Sequence, residues 1–292
     1  MSSPRVSIIM RTFNRPAMLR RALASVQAQT WENREVMVIN DGGEDVADVI
    51  AEFDGMLDIN YISFSPETKP GRCGAANAGM KAATGDYIAY LDDDDIYYPE
   101  HLSSLMQKVA DTGARCVYSF ANLATEEPRE NGTYEVVDVS PGTYKEFSRA
   151  AFFSANFIHL SAFCHHRGLC DELGLFDLDL EVLEDVDLFF RYSEAAAFEC
   201  VPEFTVQYHV RTDATNAITS MRDKWVETRN QLCQKYFSVA ITEMMCYIDE
   251  GRASLQGVHG QVKTLSDRVA ELEKRLDALS KRSPVDTEAP PT

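Results

Sequence analysis

Along its first ninety residues the chain alternates short, unbroken apolar runs with polar turns and amphipathic stretches. Val6-Ser7-Ile8-Ile9-Met10 reads as a strand, and Arg11-Thr12-Phe13-Asn14-Arg15-Pro16 as the polar turn that follows it. Ala17 to Gln27 then sets Met18, Leu19, Ala22, Leu23 and Val26 at helical spacing. The unit recurs. Glu35 to Asn40 is a second strand ending in Asp41-Gly42-Gly43, Val46 to Phe53 a helix, and Asn60 to Phe64 a third strand. A loop from Pro66 to Gly74 leads to a helix of small residues, Ala75 to Ala83, and to the strand Tyr87 to Leu91. Apolar strands alternating with helices predict a parallel sheet covered on both faces. In such α/β sheets ligands bind outside the carboxyl ends of the strands, so Thr12, Asn14, Asp41 and the run Asp92-Asp93-Asp94-Asp95 should line one crevice.

Farther on, Pro99 opens a helix that runs through Val109, and Arg115 to Phe120 reads as a strand, while residues 121 to 150 carry no clear period. Phe152 to His166 is apolar and aromatic. Glu181 to Arg191 reads as a largely buried helix with carboxylates at its start, where the helix dipole favours them. The strand Phe204 to Val210 brings His209 and Arg211 to a chain reversal. Beyond it, Ile218 to Asp249 has helical character. Leu255, Val262, Val269 and Leu276 then share one heptad position, with Val258, Leu265, Leu272 and Leu279 three residues later. That seam predicts a coiled coil of about four heptads, and with it a homo-oligomer. The expected organisation is an α/β domain over 1–215, a helical extension over 216–250, a coiled-coil oligomerisation segment over 251–282 and a disordered tail over 283–292.

Composition narrows the function. A 292-residue chain with 45% hydrophobic residues can bury a sizeable core, and a net charge of -18 argues against nucleic acid or anionic lipid held through a general electrostatic surface. A phosphate-bearing ligand therefore needs local cations. Acid is concentrated at Asp92 to Asp95 and at Glu181 to Asp187, and a divalent metal is the usual way to make such clusters useful. Seven scattered cysteines without a CxxC fit reduced thiols, and no apolar run reaches the about eighteen residues of a membrane span. The expectation is a cytoplasmic protein, peripheral at the inner membrane only through partners.

Val6-Ser7-Ile8-Ile9 with Thr12-Phe13-Asn14-Arg15, then Val38-Ile39-Asn40-Asp41-Gly42, Asn77-Ala78-Gly79, Ala83-Thr84-Gly85-Asp86-Tyr87, Leu91-Asp92-Asp93-Asp94-Asp95 and Glu184-Asp185 follow one another in an order and spacing that resembles the family 2 inverting glycosyltransferases. The resemblance covers roughly residues 4 to 210. It implies a GT-A fold, a mostly parallel sheet flanked by helices, here carrying the C-terminal helical extension and coiled coil. It also implies transfer of a sugar from a nucleotide-sugar donor, chiefly a UDP-sugar, to a glycan or glycolipid acceptor in bacterial polysaccharide synthesis.

Residue by residue, the resemblance makes Asp41 the acid that accepts the imide N–H of uracil, a choice against cytosine, whose ring nitrogen carries no proton there. Thr12, Asn14, Asp92 and Asp93 then support the nucleotide. Asp94 is the principal ligand for Mn²⁺ or Mg²⁺, Asp95 is a metal-side or sugar contact, and His209 is a further metal or phosphate ligand. Since every position of the run is Asp, a slip of one would put Asp93 on the metal. Asp185 is the general base, with Glu184 and Asp187 raising its proton affinity by like-charge repulsion. Asn156, His159 and Glu184 face the acceptor. One departure stands out: relatives commonly carry Arg immediately before the Asn that aligns with Asn77, whereas this chain has Ala76, leaving Lys69 or Arg72 to supply the phosphate contact. His165-His166-Arg167 is a further candidate for phosphate or acceptor.

Each motif also has a bland reading: a turn Asp before two glycines at Asp41, a solvated acidic turn at Asp92 to Asp95, an acidic helix cap at Glu184 and Asp185, and packing for most phenylalanines between 152 and 163. Two other functions stay open. A nucleotidyltransferase shares the nucleotide-binding sheet and acidic site, but calls for a glycine-rich basic loop after the first strand, where this chain has Arg11-Thr12-Phe13-Asn14. An inactive coiled-coil scaffold has no need of both acidic motifs.

Overall fold

The computed structural model describes residues 3–130, 133–213, 221, 223–236, 271 and 274. The chain divides into two compact units, Met1–Phe237 and Ser238–Thr292. In the second, Glu271 and Lys274 are helical, and the proposed coiled coil and tail otherwise lie outside the described residues.

The first unit is built on strand–helix repeats. Strand β1, Val6–Thr12, is buried along its length apart from Arg11. Helix α1, Pro16–Gln27, starts on a proline whose missing N–H costs nothing in a first turn, and it buries Leu19, Ala22, Leu23 and Val26 on one stripe. Strand β2, Arg34–Asn40, the short helix α2, Ala47–Ala51, and strand β3, Ile59–Ser63, extend the repeat. Helix α3, Gly71–Ala82, and strand β4, Tyr87–Tyr90, follow. Alternation along β1 separates two cores. Val6, Ile8 and Met10 pack with the α1 stripe, while Ile9 packs with Met37, Ile39 and the small residues of α3.

Small residues let α3 lie close to the sheet: a Cβ on Gly79 would come within 2.5 Å of Ile39 Cδ1. The Thr84-Gly85-Asp86 turn pins β4 to its neighbours. Buried Glu35 accepts from the Thr84 amide at 2.7 Å, the Thr84 hydroxyl at 3.0 Å, the Ser7 hydroxyl at 2.5 Å and the Gly85 amide at 3.2 Å, and Asp86 accepts the Arg5 amide at 2.9 Å. These motif residues serve the fold rather than a ligand.

After β4 the regular alternation ends. Strand β5 is Ile96–Tyr97, α4 is His101–Thr112, β6 is Cys116–Pro128 and β7 is Tyr134–Pro141. Helix α5, Arg149–Ser154, a single helical turn at Leu160–Ala162, strand β8, Phe163–His166, helix α6, Gly168–Leu173, helix α7, Glu184–Tyr192, and strand β9, Phe198–Arg211, complete the series. The nine strands lie in the order β3-β2-β1-β4-β8-β6-β9-β5, with β7 paired to β6. Strands β1, β2, β3, β4, β6 and β9 run one way and β5, β7 and β8 the other. The sheet is therefore mixed rather than wholly parallel. Residues 223–236 form a helix seated on α7, with Leu232 and Tyr236 buried and the Tyr236 ring stacked 4.6 Å from Phe190.

Two local expectations change. The stretch read as a loop to Gly74 is already helical from Gly71, so Arg72 and Cys73 lie in the first turn of α3; the glycines there disguise the start. The β6–β7 hairpin had no readable period because Val136, Val137 and Val139 all remain partly exposed along β7, which breaks the inside–outside alternation. All six cysteines among the described residues are free thiols.

Candidate active site

The carboxyl ends of β1, β2 and β4 bring the polar turns together. After β4, Leu91 is buried and the four aspartates form a turn closed by the Asp95 amide on the Asp92 carbonyl, 3.0 Å. Their side chains take different partners. Asp92 accepts from Arg11 at 2.7 Å. Asp93 accepts the Thr12 hydroxyl at 2.9 Å and Arg15 at 3.2 Å. Asp94 Oδ2 accepts from Arg15 at 3.2 Å and Arg211 at 2.9 Å, while Arg21 holds its carbonyl at 2.8 Å. Asp95 faces inward, receiving the Ser161 hydroxyl at 2.7 Å and the His209 amide at 3.1 Å, with His159 Nδ1 at 3.6 Å.

Four adjacent carboxylates were expected to need a metal for neutralisation. Part of that charge is met within the protein: Arg11, Arg15 and Arg211 pair directly with the run. Burial alone would raise Asp92, but Arg11 and Arg72 overcome it and hold that carboxyl below the usual range. Burial and the neighbouring Asp94 push Asp93 up to about 7 against Arg15 and the Thr12 hydroxyl. Asp95 is raised by burial and by Asp94 and Asp92.

Asp41 lies at the end of β2, where it accepts the Gly71 amide at 3.0 Å. Burial raises its proton affinity, while that amide, Lys69 and Arg11 pull it down. Asn14 sits beside it in the left-handed backbone region, φ 56, which Asn tolerates better than most residues. Its side chain accepts the Glu44 amide at 2.7 Å, so it shapes the loop, and a Cβ on Gly43 would come within 2.8 Å of that oxygen.

Glu184 and Asp185 open α7. Leu183 before them has φ 59, a conformation costing a non-glycine residue roughly 1–2 kcal/mol, and strain of this kind gathers at functional sites. Glu184 is 3% exposed and is gripped by Arg11 and Arg72, both at 3.2 Å. Asp185 is half-buried and bonds the Val186 amide at 2.9 Å; among the described residues it forms no ion pair. Burial and then Glu184 raise it to about 7. Asp187 does not add to that repulsion as expected. It turns to Arg191 at 2.8 Å, Lys235 at 2.7 Å and Tyr236 at 2.6 Å, anchoring helix 223–236.

The acceptor-side candidates separate. The His159 ring packs 4.1 Å from Tyr208 beside Asp95, while exposed Asn156 accepts the Ile158 amide at 3.1 Å in its own turn. His165, His166 and Arg167 do not reach this crevice. His166 and His165 pair with Tyr87 and Ile88 in the first half of β4, the His165 ring bonds the hydroxyl of Tyr90 in the core at 2.7 Å, and Arg167 donates to the Gly85 carbonyl at 2.8 Å. Asn77 exchanges two 2.9 Å bonds with the Phe176 backbone, and Ala76 is buried in the core. The cations at this position are Arg11 and Arg72. Arg11 went unnoticed in the sequence, where its signal was a charge set into the end of an apolar strand.

Among the described residues no group of three or more His, Cys, Asp or Glu side chains is arranged to hold a metal. Mg²⁺ or Mn²⁺ carried by a diphosphate needs only one or two carboxylates, and Asp94 fits that role through Oδ1, which takes neither arginine. The His209 ring is buried, 3.1 Å from Gln207 and 3.8 Å from Glu126, and burial with Arg21 and Arg211 lowers it to about 3, so it is neutral.

This curled α/β sheet is the GT-A fold of glycosyltransferases. Its likeness to the crystal structure of S. aureus TarS 1–349 in complex with UDP-GlcNAc has a TM-score of 0.55 at 16% identity, covering 71% of this chain and 59% of that one. The chain belongs to glycosyl transferase family 2, whose family model matches residues 7–174. It is 29% identical over 232 residues to the uncharacterized glycosyltransferase YwdF of Bacillus subtilis (strain 168), covering 80% of this chain and 84% of that protein. It is 30% identical over 230 residues to the uncharacterized glycosyltransferase RT0329 of Rickettsia typhi (strain ATCC VR-144 / Wilmington), covering 75% and 68%. Among the described residues no helix is long and apolar enough to cross a membrane.

Proposed function

We propose that this glycosyltransferase moves a sugar from a UDP-sugar to a hydroxyl of a glycan or glycolipid, with inversion, using Asp185 as the base. The observation that carries this is Asp185 itself: a half-buried carboxyl in the first turn of α7 whose proton affinity is raised to about 7, while its neighbour Glu184 is occupied by two arginines. A carboxylate of that affinity can take the acceptor's proton as the hydroxyl oxygen attacks the anomeric carbon from the face opposite the diphosphate. Asp41 accepts the uracil imide proton, Thr12, Asn14, Asp92 and Asp93 shape the nucleotide pocket, and Arg72 stands by the diphosphate. The TarS neighbour's UDP-GlcNAc supports a uridine donor.

Mn²⁺ or Mg²⁺ on Asp94 would supply Lewis-acid stabilisation of the departing diphosphate. His209 would join it only by turning its ring from Gln207 and Glu126. His159, with Tyr208 packed on it, and Asn156 line the acceptor side, and Asp95 holds that wall through Ser161.

The test is a panel of UDP-sugars, UDP-GlcNAc first, incubated with lipid-linked and free glycan acceptors with and without Mn²⁺. UDP release and the anomeric configuration of the product are read by NMR. Acceptor-dependent release that EDTA suppresses, with an inverted product, is expected. A retained configuration would overturn the single-base mechanism, and full activity in EDTA would overturn the metal.

A further inference from the structure

Arg11 is the second-to-last residue of β1, following the apolar run Ile8-Ile9-Met10, and its side chain is only 10% exposed. One edge of its guanidinium meets Asp92 Oδ1 at 2.7 Å and the other meets Glu184 Oε1 at 3.2 Å, with the Arg72 carbonyl 3.5 Å from the same nitrogen. One buried side chain thus joins β1, the aspartate turn after β4, the first turn of α3 and the first turn of α7. Only a planar, permanently charged fork can meet two carboxylates in this way; an ammonium is a single point.

Two acids adjacent in sequence have consequently been given opposite situations. Glu184 is 3% exposed and shared between Arg11 and Arg72, each at 3.2 Å, so its side chain is held in place. Asp185 has no ion pair among the described residues and meets its own helix through the Val186 amide. The groups facing it are Glu184 on α7, Arg72 on α3 and Asp92 after β4.

We propose that Arg11 is a positioning residue: by clamping Glu184 to Asp92 it registers the base helix against the donor-binding turn and reserves proton abstraction for Asp185. The proposal rests on the base assignment above. Arg11 acts through its contacts with Asp92 and Glu184, so its effect falls on the geometry and the ionisation of the acidic pair.

Three variants test it: Arg11→Gln, Arg11→Lys and, as reference, Asp185→Asn. In Arg11→Gln kcat falls about 100-fold, the penalty of misplacing a reacting group by about an ångström, while the affinity for UDP changes less than about threefold. The acid limb of its kcat profile moves to higher pH by about half a unit or more, because the Glu184 charge beside Asp185 is no longer offset by the Arg11 guanidinium. Arg11→Lys keeps the charge: its acid limb stays in place while kcat falls by about tenfold or more, since one ammonium cannot hold both carboxylates. Should Arg11→Gln fail to fold, Arg11→Lys decides alone through that split between rate and limb.

Wild-type kcat and limb in either variant, or a loss of UDP affinity in step with kcat/KM, overturns the clamp, the latter by making Arg11 a donor contact. Neither result touches the base assignment as long as Asp185→Asn is inactive. Activity in Asp185→Asn removes the base assignment whatever Arg11 does.

Discussion

Replacing Asp185 with Asn should abolish transfer and stabilise the protein, and the two effects have one cause. In the folded chain burial and Glu184 hold the Asp185 carboxyl near pH 7, whereas in the unfolded chain it ionises near pH 3.9. Its folded pKa is raised, so the stability linked to it is fully present below about pH 3.9 and is lost as pH climbs to about 7. Between pH 5.5 and 7 the folded protein still holds a proton that the unfolded chain has released. Each unit costs 1.36 kcal/mol, giving about 2 kcal/mol over that interval. Asparagine escapes this cost, since its amide does not ionise and its Oδ1 can still accept the Val186 N–H. The melting temperature of Asp185→Asn should therefore gain on the wild type by about 4–8 °C more at pH 8 than at pH 5.5. Removing the base should lower kcat about 10²–10⁴-fold with UDP affinity nearly intact. Differential scanning calorimetry at the two pH values, paired with UDP release under saturating donor, checks both. A melting shift equal at pH 5.5 and pH 8 would show that folding does not raise the proton affinity of Asp185, and transfer at the wild-type rate would show that it is not the base.

Asp41→Asn should weaken the preference of the site for UDP over CDP by about tenfold or more, because the amide offers cytosine a donor and uracil a poorer acceptor; calorimetric Kd values whose ratio does not move would end its role in reading the base. Gly79→Ala should cost about 1–3 kcal/mol, read as a lower urea midpoint, since its Cβ would press on Ile39 Cδ1 at 2.5 Å and Ile9 Cγ2 at 3.1 Å. An unchanged midpoint would mean that α3 can lift from the sheet without loss.

The amino-terminal half of the fold was legible because its code is local. Unbroken apolar runs, a helical stripe at Leu19, Ala22, Leu23 and Val26, and turn residues at Asp41-Gly42-Gly43 each declare an element within a few residues, and α/β geometry then sends the strand ends to one crevice. The family resemblance assigned Asp41, Asp92 to Asp95 and Glu184-Asp185 to the site, and folding sets Asp92 and Glu184 on one guanidinium, that of Arg11. Beyond β4 the signal weakened. The direction of β8 and the pairing of β7 depend on partners distant in sequence, and in a hairpin as exposed as β7 no alternation marks a face.

The sequence by itself thus determined the repeating β–α units, the candidate carboxylates and the family. Only the tertiary structure decided which of those carboxylates are spoken for. Four aspartates read alike in a string, yet folding gives Asp92 to Arg11, Asp93 to Thr12 and Arg15, Asp94 to Arg15 and Arg211, and Asp95 to Ser161 and the His209 amide. It likewise turns Asp187 away to helix 223–236 and leaves Asp185 without an ion pair among the described residues. Proton affinity is set by burial and by charges a few ångströms away, and those neighbours come from residues as far apart as 11 and 184.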